Sequence, residues 1–327
     1  MYTVLWAKRF KFYSLRCAIP LNLSFVVKES STVQSDGFVR IVESAIDMLR
    51  EENGRIGNLT ISGRLVKLEP VGEVVVVGDL HGDFESLISI LNSSGFLQRM
   101  AKSKDSTLIF LGDYGDRGAY SAEVYYTVLR LKLSFSEQVV LMRGNHEGPE
   151  DLLASPHDLP MQFRHRFKKN WAVAYAKTRE LWAHLYNAVL VEERYLMVHG
   201  GLPSNISSIQ DLACANMTHP EKEFLEDLLW SDPSDTAQDV ILSPRGAGKL
   251  FGKKVTENAL KKVHAKILIR GHEPCEEGFK INHDGKVLTL FSRRGAPYFN
   301  EHGAYLDLPL SERFESAGQL LPWVRKF

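Results

Sequence analysis

Three short stretches share one pattern, and that pattern limits what the chain can fold into. Val74-Val75-Val76-Val77 leads into Gly78-Asp79-Leu80-His81-Gly82-Asp83. Leu108-Ile109-Phe110-Leu111 leads into Gly112-Asp113-Tyr114-Gly115-Asp116-Arg117-Gly118. Val139-Val140-Leu141-Met142 leads into Arg143-Gly144-Asn145-His146-Glu147. Apolar runs this short and rich in β-branched residues read as strands buried on both faces of a parallel sheet. Helical spacing separates them. Phe84, Leu87, Ile88 and Leu91 follow Asp83 as a cap, and Val124, Tyr125, Val128, Leu129 and Leu131 follow Ser121. Two strand-helix-strand crossovers demand parallel strands with right-handed connections. Ligands of such sheets bind at the carboxyl ends of the strands.

Asp79, His81, Asp113, Asn145 and His146 therefore converge on one rim. Two later strands end alike, at Met197-Val198-His199-Gly200-Gly201 and at Leu268-Ile269-Arg270-Gly271-His272. One such residue is most simply structural. Five strand ends closing on glycine with Asp, His or Asn predict a metal site. Carboxylate, imidazole and amide oxygen without thiolate suit manganese, iron or zinc in a catalytic setting rather than a structural zinc. A bridging carboxylate can hold two metals about 3.5–4 Å apart, enough to bind both ends of an in-line displacement at phosphorus.

The remaining chain reads as follows. A helix spans Gly37 to Glu51 and another runs from Met161 to Leu185. Short strands Asn187–Glu192 and Tyr195–Val198 form a hairpin, as do Phe279–Asn282 and Val287–Phe291 across His283-Asp284-Gly285. The second half is strand-rich. The fold class expected is α/β: two packed mixed sheets flanked by helices, with the site at the strand carboxyl ends. One catalytic domain over 36–315 carries a β-rich or poorly ordered appendage over 1–35 and a tail over 316–327. Residues 1–28 are basic and acid-poor up to Glu29, which weakly suggests a targeting segment.

Forty basic residues balance forty acidic ones, so net charge offers no case for nucleic acid or an anionic membrane as partner. No stretch is apolar for long enough to span a bilayer. Cys17, Cys214 and Cys275 are too few and too scattered for a disulfide framework, which makes a reducing, cytoplasmic setting the default.

The ordered motifs Gly78-Asp79-x-His81-Gly82, Gly112-Asp113-x-x-Asp116-Arg117-Gly118, Arg143-Gly144-Asn145-His146-Glu147, His199-Gly200-Gly201 and Arg270-Gly271-His272 resemble the phosphoprotein phosphatase family of metal-dependent serine/threonine phosphatases. Leu229-Trp230-Ser231-Asp232-Pro233 and Pro244-Arg245-Gly246 extend the resemblance, which covers about 70–310. It implies two divalent metals, manganese or else iron or zinc. Asp79 and His81 would bind the first, Asp113 would bridge, and Asn145, His199 and His272 would complete the second. Arg117 and Arg245 would clamp the phosphoryl oxygens, a task suited to a planar, permanently charged fork. His146 would be the general acid and Asp116 its partner, with one-step attack by a hydroxide between the metals. Arg143, Glu147 and Arg270 read as supports, and Asp232 as an acceptor near the site. His157, His165, His184, His219, His264, His283 and His302 match no motif and default to surface or packing.

Two places depart from the family pattern. Gly115 stands where an apolar residue is usual, which loosens that loop. Phe291-Ser292-Arg293-Arg294-Gly295-Ala296-Pro297-Tyr298-Phe299-Asn300 lacks the cysteine of eukaryotic members and is similar to prokaryote-type ones. Tyr298 matches the family's substrate-side tyrosine, and Arg293-Arg294 read as a solvated charged loop rather than a site for acidic phosphopeptides. The function expected is hydrolysis of phosphoserine and phosphothreonine in phosphoproteins. The alternatives are another metallophosphoesterase, such as a dinucleoside polyphosphate hydrolase, and a non-enzymatic scaffold.

Overall fold

The computed structural model describes residues 22–327. A five-stranded sheet has the order Val324–Lys326, Ala304–Pro309, Glu73–Val77, Ser106–Phe110, Val139–Leu141. The last three are parallel, as expected, with Val75 beside Leu108 and Leu108 beside Val139. An eight-stranded mixed sheet runs Gly54–Ile56, Leu59–Ser62, Leu65–Leu68, Ala188–Val191, Tyr195–Val198, Ile267–Arg270, Val287–Leu290, Phe279–Asn282. Its central strands Tyr195–Val198, Ile267–Arg270 and Val287–Leu290 are parallel neighbours.

Side-chain alternation explains how the layers pack. Val189, Val191, Tyr195, Met197, Ile267, Ile269, Leu288 and Leu290 share one core with Val74–Val77 and Leu108–Leu111 of the first sheet. Their strand neighbours Leu190, Leu196, Val198, Leu268 and Val287 face a second core with Leu228, Leu229, Phe251 and Leu260. A period of two thus places the eight-stranded sheet between two apolar layers. Helix Ser35–Glu51 buries Phe38, Val42, Ala45, Ile46 and Leu49 at three- and four-residue spacing. It packs on helices Ser121–Ser134 and Trp171–Trp182.

The ends of the chain depart from expectation. Residues 23–32 form a helix capped by Asn22, not a β-rich appendage. It lies on helix Ser121–Ser134, buries Val26, and is tied by Glu29 to Arg130 at 3.2 Å. Residues 1–21, with Cys17 and most of the basic stretch, lie outside the described residues. Residues 316–327 are no free tail. Leu320 is buried, and Val324–Lys326 pairs with Ala304–Pro309 to extend the first sheet. The helical stretch from Met161 to Leu185 breaks into Leu159–Phe167 and Trp171–Trp182 around Lys168–Asn170. Among the described residues no helix is long and apolar enough to cross a membrane.

Candidate metal centre and acid dyad

The five predicted strand ends meet at one rim. Asp113 sits at the middle of the cluster. Its Oδ2 lies 3.4 Å from His81 Nε2 and 3.5 Å from His199 Nε2. Asp79 Oδ2 lies 3.7 Å from His81 Nε2 and has no hydrogen-bond partner, though fully buried. Asn145 Oδ1 is 3.0 Å from His199 Nε2 and 3.1 Å from His272 Nδ1. Two donor groups, His81/Asp113/His146 and Asp113/His199/His272, each have their ligand atoms within 4.8 Å of one another, and Asp113 belongs to both.

The tautomers decide what these atoms can do. His81 Nδ1 faces the Gly115 carbonyl at 3.1 Å and His199 Nδ1 faces the Leu111 carbonyl at 3.0 Å. A carbonyl only accepts, so each Nδ1 holds the proton and each Nε2 presents a bare lone pair to Asp113. Acceptors facing acceptors in a buried site are the arrangement a cation resolves. The Asn145 amide fits in either sense. Turned over, its NH₂ would donate to both Asp113 oxygens, at 3.2 and 3.0 Å, and to both imidazoles. Oxygen inward, it is one more ligand. Electrostatics agree with the geometry. Burial pushes the Asp79 carboxyl up to about 7 and, with Asp79 and Glu147 nearby, drives Asp113 well above its ordinary value. Burial and cationic neighbours hold His81, His199 and His272 well below theirs. Neutral imidazoles and carboxylates crowded into a buried site are donors that suit divalent cations.

The backbone is unusual at these same residues. His81, Asp113, Asp116, Arg117 and His272 all have φ between 45° and 72°. Non-glycine residues adopt that region rarely, and its cost of about 1–3 kcal/mol each is characteristic of functional sites. Gly144 and Gly271 make the approach possible: a Cβ on Gly144 would fall 2.1 Å from Asp113 Oδ1, and one on Gly271 would fall 2.5 Å from Asp79 Oδ1.

Glu147 anchors the loop that carries Asp113. Its carboxylate accepts from the backbone N–H groups of Asp113 (2.8 Å), Tyr114 (3.0 Å) and Gly144 (3.1 Å), and from the Tyr125 hydroxyl (2.7 Å). Arg143 Nε donates to the Glu147 carbonyl. Asp232 is a hub at the other end. It accepts from Arg245 Nε at 2.6 Å and from Arg270 Nη2 at 2.8 Å, and its Oδ1 lies 3.9 Å from His272 Nε2. Arg117 lowers the His81 imidazole electrostatically and Arg245 the His272 imidazole, so both guanidinium groups lie close enough to the cluster for their charge to be felt there.

Asp116 faces His146, Nδ1 to Oδ2, at 2.6 Å. The same Oδ2 also takes His157 Nδ1 at 2.8 Å, a contact that corrects the assignment of His157 to packing or surface. Burial alone would raise the Asp116 carboxyl, but the hydrogen bonds from His146 and His157 outweigh it and hold the group far below the usual carboxylate range. Asp116 is therefore ionised and can only accept, so both imidazoles donate to it from Nδ1. His146 keeps Nε2 for the cluster, where it packs edge-on against His81 with ring centres 4.7 Å apart. Tyr298 stacks on His81 at 5.5 Å.

Two expectations about loops are corrected. Arg293 is buried, not solvated; its guanidinium donates to the carbonyls of His81 and Ala296 and pins the 293–300 loop on the site. Gly115 does not loosen its loop. A Cβ there would lie 3.0 Å from the Tyr125 ring and 3.3 Å from Leu159, which already fill that space.

The donor cluster, with Arg117, Arg245 and the Asp116–His146 pair beside it, is a candidate phosphoesterase site. A family model described as calcineurin-like phosphoesterase matches residues 72–276. The catalytic subunit of serine/threonine-protein phosphatase 6 from Caenorhabditis elegans is 32% identical over 241 residues, covering 72% of this chain and 69% of that protein. The catalytic subunit of serine/threonine-protein phosphatase 4 from Saccharomyces cerevisiae is 30% identical over 221 residues, 67% of this chain and 68% of that protein. A probable serine/threonine-protein phosphatase of Encephalitozoon cuniculi is 32% identical over 265 residues, but the match spans only 56% of its length. A solved serine/threonine phosphatase from Saccharomyces cerevisiae superposes with a TM-score of 0.73 over 94% of this chain and 95% of that one, at 22% identity. The chain belongs to the calcineurin-like phosphoesterases, in their serine/threonine protein phosphatase family. These named relatives are eukaryotic and lend the prokaryote-type reading of the 293–300 loop no support.

Proposed function

We propose that the chain hydrolyses phosphoserine and phosphothreonine esters of proteins, using two divalent cations held by Asp79, His81, Asp113, Asn145, His199 and His272. Manganese serves in vitro, with iron or zinc as the other candidates, and the setting is cytoplasmic. The observation that carries the reading is the His146–Asp116 pair at 2.6 Å, with the His146 ring grouped beside His81 and Asp113. Bound there, the cations would polarise the phosphoryl group and acidify a water. The chain's own residues do the rest. Arg117 and Arg245 orient the phosphoryl oxygens bidentately, Arg245 being aimed by Asp232. His146 delivers a proton from Nε2 to the leaving serine or threonine oxygen, while ionised Asp116 holds Nδ1–H and stabilises the imidazolium. Tyr298 walls the phosphate's approach beside His81.

A dinucleoside polyphosphate has a leaving group that needs little protonation, so a site built around an acid dyad favours alkyl monoesters. The test compares phosphate release from a phosphoserine peptide with hydrolysis of diadenosine tetraphosphate at saturating Mn²⁺. The peptide is the better substrate on this reading, and a preference for the dinucleotide would replace it.

A further inference from the structure

Asp116 is a fully buried carboxylate with every acceptor position used. Oδ2 takes His146 Nδ1 at 2.6 Å and His157 Nδ1 at 2.8 Å. Oδ1 takes the backbone N–H groups of Asp158 at 2.9 Å and Leu159 at 2.7 Å. His157 is itself fixed from behind. Its Nε2 is 2.8 Å from the Tyr175 hydroxyl, and its ring lies near-perpendicular to Trp182 at 6.0 Å. Tyr175 and Trp182 stand on helix Trp171–Trp182. Trp182 Nε1 donates to the Tyr125 hydroxyl at 3.1 Å, and Tyr125 donates to Glu147, which holds the bridging loop. The same segment reaches Arg117: Asp158 Oδ1 accepts its backbone N–H at 3.0 Å, and the Ser155 carbonyl accepts from its guanidinium at 3.4 Å.

We propose that His157, backed by Tyr175, is a positioning residue of the acid dyad: it fixes the rotation of the Asp116 carboxylate so that Oδ2 meets His146 Nδ1 and His146 Nε2 stays aimed at the leaving oxygen. The two backbone bonds to Oδ1 hold one end of the carboxylate and leave it free to pivot about that oxygen. A second imidazole on Oδ2 removes the pivot. His157 touches neither the donor cluster nor the phosphoryl path, so it acts on proton delivery and not on cation or phosphate binding. This inference rests on the phosphatase reading above.

The test uses the full chain and two variants. His157→Phe keeps a ring against Trp182 and removes the donor. His157→Asn places an amide N–H where Nδ1 stood. In His157→Phe, kcat on a phosphoserine peptide falls about tenfold or more with KM unchanged, and on 4-nitrophenyl phosphate, whose leaving group needs little proton, by less than about threefold. His157→Asn recovers most of the loss. A second readout needs no turnover. In protein carrying ¹⁵N-labelled imidazoles, the His146 Nδ1–H resonance, assigned through its loss in His146→Gln, shifts in His157→Phe, and its exchange with water accelerates about tenfold. Equal losses on both substrates, or a His146 resonance and exchange rate unchanged in His157→Phe, would overturn the proposal. If wild-type protein released phosphate from neither substrate, the phosphatase reading would fall, and the resonance would still decide the role of His157.

Discussion

Glu147→Gln isolates the support of the metal centre from the centre itself. The wild-type carboxylate takes four hydrogen bonds on two oxygens: Asp113 and Gly144 N–H on Oε2, Tyr114 N–H and Tyr125 O–H on Oε1. Glutamine offers one oxygen, and its NH₂ must face one of these pairs. Facing Asp113 and Gly144, it orphans two backbone N–H groups. Facing Oε1's partners, it orphans one backbone N–H, that of Tyr114, while the Tyr125 hydroxyl, which already accepts from Trp182 Nε1, can turn its mobile proton away and accept from the amide as well. The second arrangement therefore wins. One orphaned buried N–H costs about 1–3 kcal/mol, and the two bonds that remain lose the assistance of the charge, about 1 kcal/mol each. The amide is easier to bury than the carboxylate, whose protonation burial already favours, and this offsets part of the loss. The net expectation is a destabilisation of about 2–3 kcal/mol. Asp113 sits at φ 57° under this anchor, so its carboxylate drifts and Mn²⁺ affinity falls about 10–100-fold, as for other residues that orient ligands. Urea unfolding of the metal-free protein and calorimetric Mn²⁺ titration measure the two effects. A variant with the wild-type midpoint and the wild-type Kd would refute the assignment of Glu147 as the anchor of the bridging loop.

His146→Asn lowers turnover on phosphoserine peptide by about 10²–10⁴ with both metals still bound; metal analysis and a parallel assay on 4-nitrophenyl phosphate check it, and an equally large loss on the aryl ester would remove His146 as the acid. Asp113→Asn lowers metal occupancy as well as rate, and a fully metallated variant with wild-type turnover would show that Asp113 does not bridge. Stability without metal should also depend on pH. The Asp79 carboxyl is raised by burial from an ordinary 3.8 to about 7, so its contribution to the folded state is fully present below about pH 4 and is lost as pH rises through about 7. The buried histidines, held below their ordinary value, contribute the opposite slope in the same range, so the comparison is with Asp79→Asn: metal-stripped wild type loses more Tm, or gains less, between pH 5.5 and pH 8 than metal-stripped Asp79→Asn, and an equal pH dependence in the two would contradict the burial argument.

Much of the site was legible because it is local. Each candidate ligand lies within a few residues of a buried parallel strand, and a parallel sheet carries all such ends to one rim. Asp79, His81, Asp113, Asn145, His199 and His272 needed no knowledge of long-range contacts beyond strand order. The buttress was illegible for the opposite reason. His157 meets Asp116 across 41 residues, from a loop with neither period nor motif. Its one clue is placement, since His157-Asp158 stands immediately before helix Leu159–Phe167, whose first turn holds Pro160. Tyr175 and Trp182 looked like core aromatics by spacing; Trp182 is one and Tyr175 packs half-buried against the core, but their polar atoms face the site. Burial of Arg293 was hidden because an arginine pair in a loop reads as solvated until a carbonyl such as that of His81 is known to lie beneath it. The chain ends were misjudged where tertiary contacts decide: Leu23–Thr32 is too short to be stable alone and is held by packing on Ser121–Ser134.

The central claim is that this chain is a metal-dependent phosphomonoesterase of phosphoproteins. Its most direct test is phosphate release from a phosphoserine peptide by the metal-stripped chain, titrated with Mn²⁺ while bound metal is counted. The account predicts no release without metal and activity that rises with occupancy towards two ions per chain. Full occupancy with no release would contradict it.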